Sequence, residues 1–300
     1  MHYLDHAATT PLRPEALGAM QQQWQEVGNP SSLHTAGRRA RRVVEESREQ
    51  IAAIVGAKPA DIIFTSGGTE ADNLALKGLA RNTDRRRVLV SAVEHHAVLD
   101  PADALADEAK TVELIPVDAQ GRVDVAALEL MLDDDVAVVA VMWANNEVGT
   151  VQPVAQIAQM CAARGVPFHT DAVQALGQLD LDLEGIPSAA LSAHKVGGPV
   201  GVGALVLDRD LSVRPLVHGG GQERDVRSGT LDAAGIAGFA AALAADKPDL
   251  APLRDRLIDG VRRVVPDAVL NGDPVDRLPN NAHFSFPGCS GDALLMLLDA

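Results

Sequence analysis

The chain is 300 residues long, 47% hydrophobic but only 3% aromatic, with a formal net charge of −15. The length fits one large domain plus a smaller lobe, and the apolar fraction supports a sizeable core of aliphatic side chains. The acidity excludes general binding to nucleic acid or anionic membranes, which need basic surface. No apolar run approaches the roughly 20 residues of a membrane span.

The N-terminal stretch Met1 to Asp5 has no basic leader or apolar core, so no secretory signal is expected. The two cysteines, Cys161 and Cys289, make no disulfide framework, and a cytoplasmic protein is expected. Arg38 to Ile54 reads as a helix whose Arg38-Arg39-Ala40-Arg41-Arg42 cluster pairs with Glu45, Glu46 and Glu49 at helical spacing.

From there short β-rich runs alternate with helical patterns. Ile62 to Thr65 predicts a strand and Glu70 to Ala80 a helix. Val88 to Ser91 and Thr111 to Val117 read as strands, followed by helices over Ala97 to Ala109 and Asp124 to Leu132. Val136 to Trp143 predicts an eight-residue strand buried on both faces. A helix over Val154 to Arg164 and a strand over Val166 to Thr170 follow. This rhythm implies an α/β fold with a mainly parallel sheet covered by helices, whose ligands gather at the carboxyl ends of the strands. After a strand ending at Ala204 to Leu207, helices are expected over Ala233 to Ala245 and Leu250 to Val264. A strand over Asn281 to Phe286 and a helix over Gly291 to Ala300 begin a second lobe.

Several segments that follow predicted strands carry chemistry. In Ser66-Gly67-Gly68-Thr69-Glu70, glycines at a helix N-terminus let backbone amides approach a phosphate; the plain alternative is a turn with Thr69 as N-cap. In Glu94-His95-His96, adjacent rings point apart and lack a ligand set for a metal, so no metal is expected. One imidazole stacking on a flat cofactor fits better, against a simple capping histidine. Asn145-Asn146-Glu147 follows the buried strand, where polar groups must bond to something; a turn is the alternative. Asp171, at the end of a strand and followed by apolar residues, needs a positive partner such as a protonated pyridine nitrogen, unless it caps a helix. Lys195 ends Ser192-Ala193-His194-Lys195 and precedes a glycine-rich strip. A lysine among small residues there is placed to form a Schiff base, because desolvation lowers its proton affinity. Taken in order, these groups suit an aromatic aldehyde carrying a phosphate, pyridoxal 5′-phosphate (PLP).

The chain resembles the cysteine desulfurases of the NifS/IscS type, in the class V aminotransferase group of fold-type I PLP enzymes. The matching strings are Tyr3-Leu4-Asp5-His6-Ala7-Ala8-Thr9-Thr10-Pro11, Gly28-Asn29-Pro30-Ser31-Ser32, Phe64 to Glu70, Glu94 to Val98 and Asn145 to Gly149. They continue with Asp171-Ala172-Val173-Gln174, Ser192 to Lys195, Gly219 to Arg224 and Arg227-Ser228-Gly229-Thr230. The resemblance implies a seven-stranded, mainly parallel sheet. It implies a large PLP-binding domain over 15–261 and a small α+β domain of 1–14 with 262–300, incomplete here. Lys195 would hold PLP and act as acid and base, and Asp171 would pair with the ring nitrogen. His95 would stack on the ring and move protons. Gln174 and Asn146 would face the ring oxygen and the substrate. Gly68, Thr69, Ser192 and His194 would bind the phosphate, and Thr230 would reach the cofactor of a second subunit in a homodimer.

The implied reaction takes L-cysteine to L-alanine, with the sulfur passed as a persulfide to an iron–sulfur scaffold or to a carrier for tRNA thiolation. The family's nucleophilic cysteine loop and a later carboxylate-binding arginine fall beyond Ala300, and Cys289 does not match the nucleophile's place. Another class V lyase, such as a selenocysteine lyase, and a catalytically silent PLP-binding protein are the alternatives.

Overall fold

The computed structural model describes residues 2–299; Met1 and Ala300, the last residue of the expected terminal helix, lie outside them. Two helices precede the first strand. α1 (Pro14–Trp24) starts with proline at its first position, where a missing N–H costs nothing. α2 (Thr35–Val55) is capped by His34, whose Nδ1 accepts from the Gly37 amide at 3.3 Å, and stops at Gly56 in a left-handed conformation.

The alternating section follows. β1 (Ile62–Thr65) leads to α3 (Gly68–Arg81), and β2 (Arg87–Ser91) to α4 (His96–Ala106). β3 (Thr111–Ile115) leads to α5 (Val125–Met131), and β4 (Val136–Ala140) to α6 (Val154–Ala163). β5 (Phe168–Asp171), β6 (Ser188–Ser192) and β7 (Gly203–Leu207) complete the strands of the main sheet. Its order is β1-β7-β6-β5-β4-β2-β3. β7 alone runs antiparallel to its neighbours. Every residue of β1, β4, β5, β6 and β7 is buried, which is why β1, β4, β6 and β7 read as apolar or small-residue runs rather than alternating ones; β5, Phe168-His169-Thr170-Asp171, is buried yet largely polar.

β4 is shorter than the expected eight residues. The chain past Ala140 still pairs with β5: the Val141 amide donates to His169 O and the Trp143 amide to Asp171 O. It then bends away to supply the site. The arginines of 38–42 do not pair as expected. Arg39 reaches Glu26 at 3.3 Å, and Glu45 is taken by Arg48 at 3.1 Å.

α7 (Ala233–Ala244) is apolar all round, and α1 and α2 pack on it. α8 (Ala251–Val264) leads to the small hairpin β8 (Val269–Leu270) and β9 (Phe284–Ser285), then α9 (Gly291–Asp299). None of α9's described residues is buried, and Leu295, Met296, Leu297 and Leu298 are 69–85% exposed. No described helix is long and apolar enough to cross a membrane.

Candidate active site

The carboxyl ends of β1, β4, β5 and β6 meet at a cavity of about 270 Å³. Gly68, Thr69, His95, Asn146, Asp171, Gln174, Ser192, His194 and Lys195 all line it, so nine of the ten residues expected to form the site are brought together. Thr230 is exposed and is not among the lining residues.

One wall is the start of α3. Its N-cap is Gly67, not Thr69, and no side chain caps the first turn. The amides of Gly68 and Thr69 therefore have no acceptor among the described residues. Glycine is required for close approach here. A Cβ on Gly203 of β7 would lie 2.6 Å from Gly67 Cα, and one on Gly68 would lie 2.7 Å from Val173 Cγ2. Ser192 Oγ, at the end of β6, is buried without a hydrogen-bond partner. Free amides at a helix N-terminus beside an unpaired hydroxyl form an anion cradle. The turn is held from behind, where the Ser66 amide donates to Glu70 Oε2 at 2.7 Å and Arg227 Nε donates to Glu70 Oε1 at 2.9 Å.

The opposite end is acidic. Asp171 is 7% exposed, and its Oδ1 accepts from the Val173 amide at 2.9 Å. Burial, then the Asp72 carboxyl, pushes it up to about 7, against the pull of the Val173 amide and the His169 and His95 rings. No helix follows, so it is not an N-cap. Behind it, His169 Nε2 meets Asp72 Oδ1 at 3.0 Å, and His169 Nδ1 meets Ser188 Oγ at 2.8 Å. Glu94 is also buried; its Oε1 accepts from the Met142 amide at 2.6 Å and from Ser91 Oγ at 2.5 Å, and burial pushes it up to about 8.

Lys195 is the last residue of a 3₁₀ turn, Ala193–Lys195, that starts at the end of β6. Its Nζ donates to the carbonyls of Ala7 and, at 2.9 Å, Ala8. Burial lowers its proton affinity, with Asp171 and Asp5 opposing. The same N-terminal strand of backbone is pinned by Gln174 Nε2 donating to Ala7 O at 2.9 Å and by Thr10 Oγ1 donating to His194 O at 2.7 Å. Burial and the Lys195 charge lower the proton affinity of His194, whose Nδ1 contacts Thr9 Oγ1 at 3.1 Å.

His95 does two things at once. It caps α4, with Nδ1 accepting from the Ala97 amide at 3.0 Å, and it lines the cavity. Asn145 and Asn146 divide their work. Asn145 Oδ1 accepts from the Glu147 and Val148 amides and fixes the turn, while Asn146 faces the cavity.

An electrophilic ring bearing a phosphate fits this donor set: a desolvated amine, a buried acid and an anion cradle line one cavity. Asp72 also lines the cavity and is not among the residues expected there from the sequence. Its signal was available, because Asp72 shares a helix face with Ala75, Leu76 and Leu79, all buried.

The family described as Aminotransferase class-V matches residues 2–259. A Mycobacterium tuberculosis protein named IscS-like cysteine desulfurase is 52% identical over 319 residues, covering 100% of this chain and 81% of its own. A solved structure of a NifS-like protein superposes with TM-score 0.94 at 36% identity, over 99% of this chain and 85% of that one. A structure of SspA in complex with cysteine superposes with TM-score 0.90 at 30% identity, over 100% and 87%.

Proposed function

The chain belongs to the class-V aminotransferase family, and from that premise we propose that it is a PLP-dependent cysteine desulfurase. It takes L-cysteine to L-alanine and passes the sulfur on as a persulfide, to an iron–sulfur scaffold or a sulfur carrier. The observation that carries the reading is the meeting of Lys195, Asp171 and the α3 anion cradle at one cavity. When bound, PLP supplies an electron sink for charge developing at the substrate's α-carbon.

The chain's own residues have these tasks. The amides of Gly68 and Thr69, with Ser192 and His194, hold the phosphate. Lys195 would hold the aldehyde end of the group, and its lowered proton affinity favours the free amine that such a role and proton transfer at the substrate's α-carbon both need. Asp171 would face the ring nitrogen. A cation there offsets the burial that otherwise keeps this carboxyl protonated up to about pH 7, so Asp171 ionises. His95 has Nδ1 committed to the Ala97 amide, which leaves its ring face and Nε2 for the ligand. Gln174 and Asn146 face the ring oxygen and the substrate.

A thiolate presented at the open side of the cavity then attacks the substrate sulfur. The carbon–sulfur bond breaks with its electron pair on carbon, a proton follows, and alanine leaves. Cys161 is unsuited to this role: it is fully buried, and burial pushes its thiol up to about 12. On this reading residues 15–261 form the large domain and 1–14 with 262–300 the small one. Thr230 serves the site of a second copy in a homodimer.

The test is to load the protein with PLP, reduce it with borohydride and map the modified peptide, then to assay alanine and sulfide release from L-cysteine. Label on Lys195 and alanine release are expected. Label on another lysine, retained in Lys195→Ala, would overturn the site.

A further inference from the structure

The floor of the cavity carries a polar group that the reaction above does not use. His169 precedes Asp171 by two residues on β5, so strand alternation puts both on the same face of the sheet. Asp72 lies in the first turns of α3, four residues past Gly68. Their side chains meet at 3.0 Å, with 0% and 1% side-chain exposure. The layer between α3 and the sheet is otherwise apolar there, built from Ala71, Leu74, Ala75, Ile63, Ala190 and Leu205. A polar pair in such a layer is costly unless satisfied. This one is incompletely satisfied: Asp72 Oδ2 is buried without a partner while Asp72 lines the cavity.

We propose that Asp72 and His169 are positioning residues that tie the anion-holding turn of α3 to Asp171, so that both ends of one rigid ligand are gripped together. The proposal rests on the reading of the cavity as a PLP site. The two anchors of that site sit on different elements, the start of α3 and the end of β5. The Asp72–His169 bond is a short cross-link between them, bonded onward to Ser188 on β6. Against the sheet α3 otherwise packs through aliphatic side chains, which set no register of their own, and the Glu70–Arg227 pair ties it to a loop instead. A buried directional bond fixes its register, and a rigid ligand is sensitive to shifts well under an ångström.

The experiment is a double-mutant cycle on the PLP dissociation constant of the full chain, crossing Asp72→Leu with Asp171→Asn, with Asp72→Asn as the conservative control. In the unaltered background Asp171→Asn weakens PLP about tenfold or more; with Asp72→Leu in place the same change costs less than about threefold. Asp72→Asn keeps a hydrogen bond to a neutral imidazole and preserves the full effect of Asp171→Asn. PLP labelled with ¹⁵N in the ring gives a second readout: its nitrogen signal stays at the protonated position in Asp72→Asn and moves toward the free-base position in Asp72→Leu. Additive costs, or an unmoved nitrogen signal in Asp72→Leu, would overturn the proposal. If Asp72→Leu does not fold, His169→Asn carries the same cycle, since it shortens the link but stays polar. Failure of the unaltered protein to trap PLP on Lys195 is a separate outcome, which would remove the reading of the cavity itself.

Discussion

Glu223 is the residue whose loss the structure prices most clearly. Its side chain is 2% exposed and accepts from Arg48 Nη1 at 2.9 Å, Arg48 Nη2 at 2.8 Å and the Phe64 amide at 2.8 Å. Arg48 lies over the Phe64 ring at 4.6 Å and also donates to Ile62 O. Burial opposes the charge on Arg48, but the Glu223 and Glu45 carboxylates outweigh it, so the proton is held more tightly than on an ordinary guanidinium. Glu223→Ala leaves that guanidinium with only a half-exposed carboxylate and strips the Phe64 amide of its acceptor. Breaking a buried pair on one side costs about 3–5 kcal/mol and orphaning an amide about 1–3; the two overlap, so a loss of about 4 kcal/mol is expected. Urea unfolding followed by circular dichroism measures it. The double variant Arg48→Met/Glu223→Leu, which removes both charges, should recover at least about half of the loss. A Glu223→Ala loss below about 1 kcal/mol, the range of an exposed pair, would refute the argument.

Three further outcomes are expected. In the PLP-free protein Asp171 and Glu94 are pushed up to about 7 and 8 by burial, Asp72 also lies well above the usual carboxyl range, and His169 is pushed down to about 4. Raised acids lose stability as pH rises toward their folded values, whereas the imidazole gains it only up to its unfolded value of about 6.5, so melting temperature should fall between about pH 6.5 and 8; a rise over that window would refute this. Gly203→Ala places a Cβ 2.6 Å from both Gly67 Cα and Leu191 O; it should cost about 1–3 kcal/mol and weaken PLP binding, and an unchanged PLP affinity would contradict the cradle. Ellman's reagent should titrate only the exposed Cys289 in the native protein and both cysteines after denaturation, because Cys161 is buried; rapid native labelling of Cys161 would show that the core there is open.

The strands were legible because fully buried parallel strands leave unbroken apolar runs, as in Val136 to Ala140. α1 gives no clear sequence signal: of its apolar residues only Ala16 and Met20 are buried, against α7, while Leu17 and Trp24 are exposed. Site residues at strand ends were readable because Asp171 stands directly before apolar residues and Lys195 lies among small ones. The contacts of Ala7 and Ala8 were not, since a backbone carbonyl carries no residue-type signal. Asn145 and Asn146 illustrate the same limit. Adjacent identical side chains take opposite tasks, and only the bend after β4 decides which one turns inward.

The backbone draped over Lys195 has a practical corollary. The amine is leashed to the carbonyls of Ala7 and Ala8, so a purification handle fused ahead of residue 2 would lie only a few residues from the backbone that holds the reactive group. Preparations carrying such a handle should differ in colour and in reactivity toward aldehydes from those carrying it elsewhere, and comparisons between laboratories would inherit that difference.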